Sequence, residues 1–438
     1  MNPQPHPEAP NADLWGGPSR ASAYGWLVFA LAFGLLISDY MARQVLNAVF
    51  PLLKAQWSLS DAQLGLLSGV VAIMVGLLTF PLSLLADRWG RVKSLTLMAV
   101  LWSLATLLCA VAQSYYQLLG ARLLVGVGEA AYGSVGIALV ISVFPQNMRA
   151  TLSSAFMAGG LFGQVLGVAL GGQIAASHGW RMAFLAIGLF GLVLAVLFPL
   201  VVRERRITAL GDGDAPANGA ALAPPRPPLA SLFASRTIVL AYIGSGLQLF
   251  CAGALPAWLP TFLGRYYAMP VDRAGRTAAV FFLICGTGMI LCGITSDRLA
   301  RARPDAKIML ATGYCLGSAT ALFLAMHCAA GTAQLALLAV AMFLVAGTTG
   351  PAGAMVANLT PLAIHGTAFA TLTLANNLLG LAPGPIITGR LADSFGLDTA
   401  FGLIPLVSLV AAAVFALARR SYAADLLAAD RGTSGVRP

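Results

Sequence analysis

The chain has 438 residues, 58% of them hydrophobic and 10% charged, with a mean hydropathy of +0.82. A soluble protein carries about 25% charged residues, so this composition excludes an ordinary water-facing surface and makes lipid the expected solvent. The net charge of +10 does not point to nucleic acid, because only three residues are lysine and the arginines fall in short loops between apolar runs.

Residues 1–23 are polar and proline-rich, without the basic start and cleavage site of a signal peptide, and are expected to form a cytoplasmic tail. A spanning helix needs about 20 mostly apolar residues. Walking the chain, twelve segments qualify: 24–52, 61–86, 95–112, 116–143, 151–176, 181–202, 236–262, 274–296, 307–328, 333–357, 364–389 and 398–418. No strand-like alternation is present, so a membrane barrel is disfavoured, and backbone satisfaction in lipid leaves helices. Between spans six and seven, residues 203–235 are rich in Ala, Pro and Gly and have no apolar period, which reads as a flexible cytoplasmic linker. The expected fold is an all-α integral membrane protein of twelve transmembrane helices in two six-helix bundles, residues 24–202 and 236–418, followed by a cytoplasmic tail at 419–438. With both termini cytoplasmic, 18 of the 26 basic residues lie on the inner side, 6 on the outer side and 2 within spans. This places the chain as a multi-pass protein of the cell membrane.

The halves are related. LADRWGRVKS (85–94) follows span two and ITSDRLARARPDAK (294–307) follows span eight, each with Asp-Arg where an apolar run meets a basic loop. Two parallel repeats around a central cavity suit a rocking transporter that holds substrate near the midplane. LADRWGR resembles the loop motif of the major facilitator superfamily, with Ser83 in place of its first glycine. RLLVGVGEA (122–130) resembles that family's RxxxGxG motif, and HGWRMAF (178–184) matches the stretch common before its sixth helix. ARQVLN, LSDAQLGLLSG, LWSLAT, GVGEA and GTGMILCGITSDRLAR are similar to the Spinster subgroup, whose eukaryotic members move lysophospholipids and sphingolipids. That subgroup usually reads N-x-x-DRQ in span one. Here Ala42 stands where its acid is expected, and Asp39 occupies the asparagine position one turn earlier.

Four full charges lie well inside spans: Asp39, Arg43, Arg122 and Glu129. Each costs about 2.5–3.5 kcal/mol at a helix centre, so such residues face a cavity and pair. Asp39 and Arg43 are four residues apart on one helix face, and Arg122 and Glu129 are seven apart, also on one face. The functional reading makes Glu129 the proton-coupling acid with Arg122 as its charge partner, and gives Asp39 and Arg43 to the substrate's polar head or to a charge relay. The competing reading is a static charge cluster that fixes helix register, with Arg43 snorkelling to the outer interface.

The second half offers only neutral candidates for the cavity, Tyr242, Gln248, Asn376 and Asn377, the asparagines preceding a glycine-proline stretch that tolerates bending. A cavity charged on one side and apolar on the other suits an amphiphile or an organic anion with a hydrophobic body. The resemblance implies a cytoplasmic gate at Asp87, Arg88, Gly90 and Arg91, with Asp297 and Arg298 as its second copy. In span five, Gly159, Gly163, Gly167 and Gly171 recur on one face and permit close packing. Gln164 follows Gly163 where the family's antiporter signature needs proline, which favours symport or uniport. There is no nucleotide-binding loop, the four histidines are scattered, and the six cysteines read as buried free thiols. The chain is therefore expected not to be an enzyme and to use no cofactor or metal. It should work as a monomeric, proton-coupled transporter of a small organic or lysolipid-like solute, in contact with membrane lipid. The alternatives are a proton symporter of small carboxylates and a transporter-like sensor.

Overall fold

A computed structural model of the chain describes residues 23–211, 232–233, 235–300, 303, 305–361 and 364–434. Most of the expected N-terminal tail, most of the linker and the last four residues lie outside that set. Among the described residues the chain is helical, with no strand. The first half comprises α1 (Ala23–Trp57), α2 (Asp61–Trp89), α3 (Arg91–Val111), α4 (Tyr115–Glu129), α5 (Tyr132–Val143), α6 (Gln146–His178), α7 (Trp180–Val201) and a short α8 (Glu204–Gly211). The second half comprises α9 (Arg236–Tyr266), α10 (Val271–Ala300), α11 (Ala306–His327), α12 (Thr332–Val345), α13 (Thr349–Leu359) and α14 (His365–Asn376). A π turn over Asn377–Leu381 leads into α15 (Pro383–Phe395) and α16 (Leu397–Ser434).

Among the described residues, eleven stretches are long and apolar enough to cross a membrane. The twelfth, α14 with α15, is interrupted by the π turn, at the end of which Ala382 N–H bonds the Asn377 carbonyl at 2.9 Å. Pro383 and Pro385 follow directly; each lacks a donor and crowds the carbonyl one turn back, which accounts for the irregular turn. Spans four and ten are each made of two helices, α4–α5 and α12–α13. Two expected boundaries shift. The linker begins with a helix rather than coil, and α16 runs on to Ser434 instead of ending at 418.

Both extensions cap other helices. Glu204 accepts from the Arg91 and Val92 backbone N–H groups at 3.0 and 2.8 Å, closing the start of α3. Asp425 accepts from Thr237 N–H at 3.1 Å and from the Thr237 and Ser235 hydroxyls, closing the start of α9. Carboxylates at these positions satisfy orphan donors and oppose the positive helix end.

The glycine stripe of α6 is spent on α1. A Cβ on Gly163 would sit 2.6 Å from the Ile37 carbonyl oxygen, and one on Gly167 2.8 Å from the Met41 carbonyl oxygen. The two halves meet at the end away from the linker. There one apolar core draws on both halves, with the Phe50 ring of α1 tilted against Trp258 of α9, centroids 5.1 Å apart. At the linker end the cores are separate, one from the first half alone and one from the second alone. The body is thus closed at its far end and parted toward the linker.

Candidate coupling and substrate site

Asp39 and Arg43 share one face of α1, as their spacing predicts, and Arg43 is held by α4. Glu129 is the last residue of α4, where the helix breaks before α5. Such a break leaves carbonyls without intrahelical partners, and Thr79 of α2 donates to the Ala130 carbonyl at 2.6 Å.

The ion pair is not the expected one. Arg43 Nε and Nη2 donate to Glu129 Oε2 at 3.0 and 2.6 Å, across from α1 to α4. The Glu129 side chain is fully buried, whereas that of Arg43 keeps 22% of its surface. The Asp39 carboxyl adjoins that of Glu129 and, among the described residues, is in no ion pair. Asp39 Oδ1 and Glu129 Oε1 are both buried without a hydrogen-bond partner. The guanidinium of Arg43 also lies over the Tyr40 ring, 5.3 Å from its centroid.

Arg122, expected as the partner of Glu129, does something else. It has no exposed surface. It donates to the carbonyl oxygens of Ala42 at 2.9 Å, Leu67 at 3.3 Å and Arg43 at 3.4 Å. It therefore ties α1, α2 and α4 through backbone, a task suited to a planar fork of five donors. Sharing a face with Glu129 did not mean bonding it, because the guanidinium reaches sideways into the α1–α2 groove.

Beyond Arg43, Asn47 Nδ2 donates to Gln44 Oε1 at 2.7 Å, and Gln44 Nε2 lies 3.4 Å from Gln164 Oε1. The glutamine that replaces proline after Gly163 thus belongs to an amide chain between α1 and α6.

In the second half the neutral candidates serve packing. Tyr242 is buried among the linker-end core of that half, its hydroxyl without a partner. Gln248 has no exposed surface and bonds Ser318 Oγ at 3.0 Å and the Val345 carbonyl at 3.4 Å, the latter at the α12–α13 break. Asn376 accepts from Ser245 at 2.8 Å, joining α14 to α9, while Asn377 Nδ2 bonds its own helix at the Thr373 carbonyl. The Gln248 and Asn376 bonds join helices, and the structure brings none of the four to the first-half charges.

At the linker end, Gly90 turns the chain with φ +96° and Arg91 Nη1 reaches the Ala138 carbonyl at 3.2 Å. Arg88, Asp297 and Arg298 are exposed; the side chain of Asp87 lies outside the described residues. One cluster escaped the sequence reading: Lys54, Asp61, Arg265 and Asp393 at the far end. Its signal was present, since LADSFG (391–396) repeats the pattern of LADRWG (85–90).

The Major Facilitator Superfamily profile matches residues 31–381. The chain belongs to the major facilitator superfamily. It is a multi-pass membrane transporter and not an enzyme. Within the superfamily it is Spinster-like: protein spinster homolog 1 of Homo sapiens is 28% identical over 399 residues, covering 84% of this chain and 73% of that one. A gallate transporter of Pseudomonas putida is 27% identical over 329 residues, covering 69% and 72%. Among solved structures, a bacterial homolog of the human lysosomal transporter Spinster, in an inward-facing and unoccupied conformation, superposes with a TM-score of 0.80 at 20% identity, covering 93% of this chain and 99% of that chain.

Proposed function

We propose that this superfamily member is a proton-coupled secondary transporter of an amphiphilic organic solute that carries an anionic group, working by alternating access with the linker end in the cytoplasm. The observation that carries this reading is the twofold bond from Arg43 to Glu129, with the Asp39 carboxyl, whose Oδ1 is buried without a partner, beside it. Two adjoining carboxyls and one contacting guanidinium in a water-poor site can exchange a proton among themselves and the medium. While Glu129 is ionised it occupies Arg43. Once a proton neutralises Glu129, Arg43 is released to a substrate anion, and its partial exposure gives such an anion access. Substrate and proton then travel together because each favours the same arrangement of Arg43.

The apolar body of the solute is suggested by a second half without a charged residue at the site, and by the kinship to proteins named for Spinster. A second reading, symport of a small carboxylate, draws on the same arginine and on the relative named as a gallate transporter. Proteoliposomes that trap a pH-sensitive dye separate the two. Solute-driven proton entry with lysolipids supports the amphiphile, and entry with aromatic or sugar acids supports the carboxylate. Binding of either class without proton entry or uptake would support a sensor and defeat both.

A further inference from the structure

The far end of the molecule carries a second ionic assembly that joins the two halves. Asp61 opens α2, and its side chain is 2% exposed. Its carboxylate accepts from Lys54 of α1 at 2.6 Å and, in bidentate fashion, from Arg265 of α9 at 2.7 and 2.6 Å. Asp393, near the end of α15, accepts from the backbone N–H groups of Asp61 at 2.7 Å and Ala62 at 2.8 Å. Lys54 and Asp61 belong to the first half, Arg265 and Asp393 to the second. Two carboxylates and two cations balance, and each half contributes one of each, so parting the halves breaks the Asp61–Arg265 and Asp393–α2 bonds without leaving a net charge on either side.

The Asp393 contact is not needed for α2 to start. Ser60 and Gln63 already form a reciprocal capping box, Gln63 N–H to Ser60 Oγ at 3.1 Å and Ser60 N–H to Gln63 Oε1 at 2.9 Å. That box satisfies the third helical N–H from within the same half. Asp393 takes the first two, from the other half, where a carboxylate is favoured by the helix end and forms charge-assisted bonds. Its bonds therefore hold the interface, and the helix survives their loss.

Below this cluster α2 and α15 run antiparallel and touch through backbone. A Cβ on Gly69 would meet the Ala382 carbonyl oxygen at 2.5 Å, and Gly65 and Gly389 approach the Pro385 and Asp61 carbonyls more closely still. The last close approach is Gly76 to the Asn377 side chain at the π turn, where an added Cβ would lie 2.9 Å from the Asn377 Cβ. The same face of α2 continues as Phe80 and Leu84, each about half exposed. So the shared face is covered from Asp61 to the π turn and bare beyond it.

The ends of these two helices are alike. Each reads Leu-Ala-Asp-x-aromatic-Gly, at 85–90 and 391–396. In each the glycine has positive φ, +96° at Gly90 and +89° at Gly396, and its N–H bonds the alanine carbonyl four residues back. Asp87 and Asp393 therefore hold the same register at the ends of α2 and α15. In the antiparallel register Asp393 stands opposite the first residues of α2, and Asp87 stands opposite the first residues of α14.

We infer that Asp393, on the start of α2, together with Asp61 gripped by Lys54 and Arg265, is the latch that shuts the far gate of the transport cycle. This rests on the alternating-access reading above and adds four residues to it. Engaging the latch closes the far end while the linker end is open, and its release lets α2 and α15 part there.

The test uses the full chain in nanodiscs, with electron spin-echo distances from two label pairs. Ala55→Cys with Ser394→Cys reports the far end, and Trp89→Cys with Gly366→Cys reports the linker end, both in a background lacking the native cysteines. The latch predicts that Asp393→Asn lengthens the far-end distance and shortens the linker-end one, moving the ratio of the two populations about tenfold. Lys54→Gln with Arg265→Gln, which alters only partly exposed side chains, should shift both distances the same way. Distributions matching the parent in both variants overturn the latch. The parent alone, compared at pH 5.5 and 8, reports whether the ends exchange at all. A parent that never exchanges, together with variants that do, would fault the proton-coupled reading and leave the latch standing.

Discussion

Arg43 bonds Glu129, and Arg122 does not. A single guanidinium from α1 makes two bonds to one carboxylate oxygen of α4 at 3.0 and 2.6 Å, while the fully buried arginine on the same helix as Glu129 is committed to three backbone carbonyls. One arginine is thus available to change partners and the other is not. The roles that follow are different and can be separated.

Arg122→Lys should behave as a stability variant. An ammonium cannot reach three carbonyls on two helices in the geometry of the fork, so the cost is about 1.5–3 kcal/mol for each charged hydrogen bond lost. The melting temperature in detergent is expected to fall by several degrees, and the transport that remains should keep the pH profile of the parent. A changed profile with unchanged melting would place Arg122 in the coupling site after all.

Thr79→Val removes the side-chain hydroxyl shared between the Val75 carbonyl and the Ala130 carbonyl at the α4–α5 break. A buried acceptor left unpaired costs about 1–3 kcal/mol. Because that break sits directly after Glu129, loss of order there should also lower the apparent affinity for solute. Thermal unfolding and uptake kinetics in one series check both parts.

Gly163→Val should reduce folded yield sharply. Its Cβ alone would lie 2.6 Å from the Ile37 carbonyl oxygen and the same distance from Tyr40 Cβ, so α6 must move off α1 and carry Gln164 and the Arg43–Tyr40 stack with it. Monodispersity on a sizing column is the measurement. Full yield would mean that α1 and α6 can separate at little cost.

Much of this architecture was legible in the residues. Twelve apolar runs, the arginine-rich loops and the two-half repeat led to the fold, because lipid leaves helices as the economical answer and hydropathy reports them directly. Asp39, Arg43, Arg122 and Glu129 stood out for the same reason: a full charge in an apolar run is costly. Their partners were not legible. Spacing tells which side chains share a face of one helix, whereas Arg43 and Glu129 meet across two helices whose relative height no single-helix period encodes. The far-end cluster was hidden by its position, since charges at helix ends look like loop charges until the opposite half is in place. The broken spans four and ten were likewise invisible, because Glu129-Ala-Ala and Ala346-Gly-Thr-Thr carry no strong helix breaker apart from one glycine.

The most direct test of the account is solute-driven proton entry into proteoliposomes holding the parent or Glu129→Gln, with lysolipids, aromatic acids and sugar acids offered in turn. The parent should acidify the lumen with one of these classes. Glu129→Gln should still bind that class, now with an affinity that no longer varies between pH 5.5 and 8, and should move no protons with it. Proton entry in Glu129→Gln equal to that of the parent, for the same solute, would contradict the exchange of Arg43 between Glu129 and cargo.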